Sequence, residues 1–129
     1  MVLVDTSIWI EYIDRVNPLV EGEMDMLLRT GEVATAGLVL AELRQRCRTP
    51  DQAKRMLGRL QGLPYLEVDR DNWVAAGQMA ADAAARGHKL KIADCLLATL
   101  ALRADCLILT LDQDFKRIPG LKLYPVQTA

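Results

Sequence analysis

The chain has 129 residues, 51% of them hydrophobic and 26% charged, with a formal net charge of −1. That length suits one domain, residues 1–129, with a core needing no disulfide or structural metal, and the composition excludes a disordered or collagen-like chain. No run reaches the roughly 18 to 20 continuous apolar residues of a membrane span, and MVLVDTSIWI lacks the basic leader and cleavage site of a signal peptide, so a cytoplasmic protein without membrane association is expected.

In chain order, Val2 to Val4 reads as a short buried strand, and TSIWIEYI begins a helix with Thr6 or Ser7 placed to cap it. Asn17-Pro18 breaks that helix, and Pro18 to Arg29 forms a second that ends near Gly31. Val33 to Thr35 predicts a second strand and Leu38 to Cys47 a third helix. Thr49-Pro50-Asp51 starts a fourth helix, proline being favourable at an early helical position, and Gly62-Leu63-Pro64 stops it. Tyr65 to Val68 reads as a third strand, Arg70 to Arg86 as an alanine-rich helix closed by Gly87, and Lys91 to Arg103 as a further helix. Cys106 to Thr110 predicts a fourth strand and Leu121 to Tyr124 a fifth. Strands alternating with helices imply a parallel sheet covered on both faces.

Three carboxylates interrupt apolar stretches of this pattern. Glu42 lies inside LVLAELRQR, Asp5 ends the first apolar run, and Asp94 breaks the face of LKIADCLLATLAL; a fourth, Asp112, follows the fourth strand. Singly, each has an ordinary reading: Asp5 as a helix cap, Glu42 as a surface residue, Asp94 as a dipole partner in a first helical turn, Asp112 as a loop acid. In an open parallel sheet, however, the strand ends that feed into helices line up along one edge, where ligands bind, and these acids all fall there. Converging, partly buried carboxylates repel one another and lose hydration at several kcal/mol per ion, while a helix N-terminus returns only about 0.3–1 kcal/mol. A divalent cation supplies the missing charge, and oxygen-only donors select Mg²⁺ or Mn²⁺ over zinc.

Other chemistries have less in their favour. Ser7 is the only serine and His88, in an exposed Gly-His-Lys turn, the only histidine, which argues against a Ser/His/Asp triad. No phosphate-cradling glycine loop is present. Trp9 and Trp73 lie in helical patterns and read as core or interface anchors. Cys47, Cys95 and Cys106, odd in number and in apolar runs, read as reduced, buried thiols. From Arg44 to Arg59 there are six basic residues against one acid, Asp51, a stripe that either follows phosphates or is simply a solvated helix face.

The ordered set VDTSIWIEY, LAELR, KIADCLLAT and LTLDQDF spans nearly the whole chain and resembles the PIN-domain ribonucleases, specifically the VapC-type toxins of toxin–antitoxin pairs. The resemblance implies a three-layer α/β/α domain with a parallel sheet of four to five strands. It implies that Asp5, Glu42, Asp94 and Asp112 are catalytic, with Asp5, Asp94 and Asp112 holding Mg²⁺ or Mn²⁺. Ser7 and Thr110 would orient the first and fourth acids, and Asp114 would either assist through water or position its loop. It further implies an RNA substrate, a homodimer, and a cognate antitoxin lying over the active groove. Arg44, Arg46 and Arg48 would hold flanking phosphates or contact that antitoxin. A phosphoacceptor receiver domain also places acids at a sheet edge, but it needs an acidic pair after strand one and a lysine after the last strand, where this chain has neither. A non-catalytic interaction module would be expected to lack one or more of the four acids, and all are present.

Overall fold

The computed structural model describes residues 1–126. Four parallel strands, β1 (Val2–Val4), β2 (Val33–Ala36), β3 (Tyr65–Leu66) and β4 (Leu107–Leu109), form one sheet in the order β3-β2-β1-β4. Helices α1 (Thr6–Asp14) and α2 (Pro18–Arg29) link β1 to β2, α3 (Gly37–Arg46) and α4 (Pro50–Leu60) link β2 to β3, and α5 (Arg70–Ala85) and α6 (Ile92–Ala104) link β3 to β4. From β1 to β3 the chain steps outward in one direction, and then it returns past β1 to add β4 on the other side. With right-handed crossovers, α1 to α4 cover one face of the sheet and α5 and α6 the other. The packing agrees, α1 against α2 and α3, α3 against α4, and α5 against α6. The α/β reading of the sequence therefore holds.

The core lies on both sides of β1 and β4. Val2, Leu3, Val4, Ile108 and Leu109 are buried, a near-continuous apolar run being what a strand covered on both faces requires. Trp9 and Phe115 are the largest fully buried side chains, and α6 buries every residue from Cys95 to Ala101. Each fully buried leucine or isoleucine contributes about 1.5–3 kcal/mol over leaving it exposed.

Several boundaries differ from the sequence reading. The third strand stops at Leu66 rather than Val68, because its partner Ala36 is followed by Gly37, the first residue of α3, and Glu67 has no strand beside it. The fifth strand reduces to a single bridge between Ile108 and Leu123, where the Ile108 amide donates to the Lys122 carbonyl at 3.0 Å and the Tyr124 amide to the Ile108 carbonyl at 2.8 Å. Neither Thr6 nor Ser7 caps α1, since the N-cap residue is Asp5 and no side chain caps the helix. Trp73 is 53% exposed, so only Trp9 is a core residue. His88 is half-buried rather than exposed, its Nδ1 lying 3.0 Å from an Arg117 guanidinium nitrogen. Cys95 and Cys106 are buried, but Cys47 is only half-buried, its thiol donating to the Leu43 carbonyl; all three are free.

Candidate active site

The strand order reverses at β1, whose two neighbours are reached by crossovers on opposite faces of the sheet. A crevice opens at such a point beyond the carboxyl ends of the strands. Asp5 follows β1 there, with its amide donating to the Leu109 carbonyl of β4 at 2.9 Å. Asp5 is buried, and the same carboxylate oxygen, Oδ2, accepts from the Ser7 hydroxyl at 3.0 Å and the Thr110 hydroxyl at 2.7 Å. Two hydroxyl donors on one oxygen hold the carboxylate at a fixed angle and offset part of its lost hydration. The two hydroxyls also reach into the last loop: Thr110 Oγ1 accepts the Asp112 amide at 3.0 Å and Ser7 Oγ the Leu111 amide at 3.2 Å. Asp5 occupies the N-cap position of α1, but its carboxylate makes no cap hydrogen bond and is turned to these hydroxyls instead.

Past β4, the Asp112 carboxylate accepts the Asp114 amide at 2.9 Å and opens a short 3₁₀ helix, Gln113–Arg117. That turn brings both acids of the DQD segment to Asp94, in the first turn of α6. Asp94, Asp112 and Asp114 each offer one carboxylate oxygen, all within 4.8 Å of one another. Asp94 Oδ2 is buried without any hydrogen-bond partner among the described residues. Burial first, then the charges of Asp112 and Asp5, push the Asp94 carboxyl up to about 6, with Asp114 adding to the effect and Lys91 opposing it.

Glu42 is placed differently. Half-buried on α3, it accepts the Thr6 hydroxyl at 2.8 Å, which ties the middle of α3 to the start of α1 beside Asp5. The tight group of three therefore contains Asp94, Asp112 and Asp114, with Asp5 braced against it through Thr110, and Glu42 standing behind Thr6. Thr6 is the one contributor that sequence reasoning assigned elsewhere. Its position between Asp5 and Ser7 was the available signal, but its partner lies 36 residues away.

The basic residues sit apart from the acids. Arg46 pairs with Asp14 at 2.9 Å, at the far end of α1 from Asp5, about 13 Å along the helix axis. Arg44 donates to the Cys47 carbonyl at 3.4 Å, and the Arg48 side chain is exposed.

Three half-buried carboxylates, one with an orphaned oxygen, and no sulfur or imidazole nitrogen in their group make an oxygen donor set that suits a hard divalent ion. A protein of α/β/α architecture with such a set at its topological switch point belongs to a recognisable class. Residues 2–121 match the PIN domain, and the chain belongs to that family. It is 34% identical over 120 residues to Ribonuclease VapC11 of Mycobacterium tuberculosis and equally to a VapC ribonuclease of Mycobacterium bovis, covering 89% of this chain and 89% of each relative. Its fold is similar to that of a chain in the crystal structure of VapBC2 from Rickettsia felis bound to a fragment of promoter DNA, with a TM-score of 0.80 at 20% identity over 98% of this chain and 100% of that one.

Proposed function

We propose that the chain, residues 1–129 acting as one domain, is a metal-dependent endoribonuclease and the toxin of a toxin–antitoxin pair. The observation that carries this reading is the close group of Asp94, Asp112 and Asp114, in which Asp94 also keeps a buried oxygen, Oδ2, without a hydrogen-bond partner among the described residues. Its location on a chain of this family, with relatives that are named ribonucleases, supports RNA as the substrate.

Asp94, Asp112 and Asp5 hold Mg²⁺ or Mn²⁺, Asp114 joins them, and Glu42 contributes directly or through water. When bound, such an ion neutralises the clustered charge, polarises a phosphoryl oxygen and lowers the pKa of a water molecule. The chain's own part is positioning. Ser7 and Thr110 fix Asp5, Thr110 and Asp112 shape the DQD turn, and Thr6 fixes Glu42. Above pH of about 6, Asp94 is ionised and ready to ligate. In-line attack by water leaves a 5′-phosphate and a 3′-hydroxyl. Arg44 and Arg48 hold flanking phosphates or an antitoxin, and Arg46 joins them if it releases Asp14.

The structural likeness to a VapBC complex supports an antitoxin as partner. A homodimer is supported by Trp73 and Val74, adjacent apolar residues of α5 that are 53% and 68% exposed. Three cysteines without a disulfide suit the reducing cytoplasm, and no helix among the described residues is long and apolar enough to cross a membrane.

Cleavage of a mixed RNA pool with and without EDTA tests the proposal. Fragments with 5′-phosphate ends should form in Mg²⁺, disappear with chelator and return when Mg²⁺ is restored. Cleavage indifferent to EDTA would contradict it.

A further inference from the structure

Beside the acids lies a cleft of about 540 Å³ that the catalytic reading does not use. Thr110 and Asp112 line it, so it shares one acid with the carboxylate cluster and lies next to it. Its opposite wall is the chain segment after the 3₁₀ helix, and that wall is fixed rather than loose. The Ile108–Leu123 bridge holds it to β4, and the Tyr124 hydroxyl donates to Glu23 of α2 at 2.8 Å. The lining is mixed: Leu111, Leu123, Tyr124 and Pro125 supply its apolar part, and Thr110, Asp112, Gln113 and Lys116 a polar part of similar extent. Gln113 and Lys116 supply polar ends on exposed side chains that make no hydrogen bond or ion pair with the described residues; both ion pairs found there involve other side chains.

We infer that this cleft is a nucleobase subsite: one unpaired base of the RNA, next to the phosphodiester at the acids, enters it and is read by the Gln113 side-chain amide. The inference rests on the ribonuclease reading above and adds the source of its sequence preference. Its volume is that of a small-ligand pocket, and its lining offers both apolar surface for a base to lie against and polar groups to meet its edge. Unpaired bases are the usual target of sequence-specific RNA recognition, taken up against aromatic or apolar side chains and bonded along their edges. A glutamine amide carries a donor and an acceptor side by side and so can meet two neighbouring atoms of a base edge. Lys116 offers charge without direction and suits a neighbouring phosphate, which carries no sequence information. A phosphate deep in the cleft is disfavoured, because Asp112 stands on the rim beside the other acids.

The test is cleavage of a random-sequence RNA pool by the full chain in Mg²⁺, with all ends sequenced. The wild-type protein should show a base bias at one position flanking the cut. Gln113→Ala should flatten that bias by about fivefold or more while cutting continues and the other positions keep their profile. Gln113→Glu, whose carboxylate only accepts, should move the bias toward bases presenting an amino group. Two variant profiles that superimpose on the wild-type profile would overturn the subsite. So would an equal loss at every sequence, which would make Gln113 a support for the acids. Wild-type protein that cuts without bias would strike the subsite alone, whereas wild-type protein that leaves the pool uncut would strike the ribonuclease reading itself.

Discussion

Asp94 carries two opposing demands. Its carboxylate is desolvated and faces Asp112, Asp5 and Asp114, so in metal-free protein the ionised form is disfavoured and the group titrates near 6 instead of near the usual carboxylate range. The folded state therefore binds more protons than the unfolded state between about pH 4 and 6, and stability falls as pH rises through that window. With solvent screening allowed for, the penalty above pH 6 is about 1 kcal/mol. Asp94→Asn should abolish cleavage, keep the fold, and raise the Tm of metal-free protein by a few degrees at pH 7 with no gain at pH 4. Thermal melts across pH check this; a large drop in Tm would assign Asp94 a structural role. Of the residues in the tight group, Asp94 and Asp112 were legible in the sequence as acids interrupting or ending apolar runs. The membership of Asp114 was left open because it depends on the 3₁₀ turn capped by Asp112, and a D-x-D segment before Phe115 reads equally as a plain loop. Thr6 was legible only as a cap, because nothing local points to Glu42.

Asp5 and Asp94 are held at the starts of α1 and α6, and Glu42 in the middle of α3. α1 and α3 leave adjacent parallel strands side by side, and two cross-links with nearly the same offset mark their common direction, Thr6 to Glu42 and Asp14 to Arg46. The first is half-buried and braces the site. The second is exposed and contributes only about 0–1 kcal/mol. On the other face, α5 begins with a reciprocal cap in which Asp69 accepts the Asn72 amide and Asn72 accepts the Asp69 amide, both at 2.8 Å. Asp69→Ala should cost about 1 kcal/mol in denaturant unfolding, with the midpoint moved and the slope unchanged. Activity should survive, since Asp69 precedes the helix that packs beside α6 and touches none of the acids. Helix starts were readable where proline or a capping residue announced them, as at Pro18, Pro50 and Arg70. The ends of β3 and the fate of Leu121 to Tyr124 were not, because strand length is decided by whether a neighbour continues, and only the fold supplies the neighbour.

At the scale of the molecule, one sheet with a reversal in strand order brings residues from positions 5 to 114 to one crevice, and the alternation of strand and helix was enough to anticipate that meeting place. What the alternation does not encode is which side chains remain uncovered. Trp73 carries a core-like residue type on a helical pattern, yet it is left at the surface of α5. If that surface seats a second copy, Val74→Glu should halve the mass measured by light scattering with little change in Tm, and an unchanged mass would place any dimer contact elsewhere. The central claim is that acids distant in sequence share one ion, and Mn²⁺ binding followed by electron paramagnetic resonance tests it without depending on any RNA. Wild-type protein should take up Mn²⁺ at pH 7.5, and Asp94→Asn, still folded, should bind it at least about tenfold more weakly, as expected when a charged ligand is lost from a small carboxylate site. Equal Mn²⁺ binding by the two proteins would contradict the account.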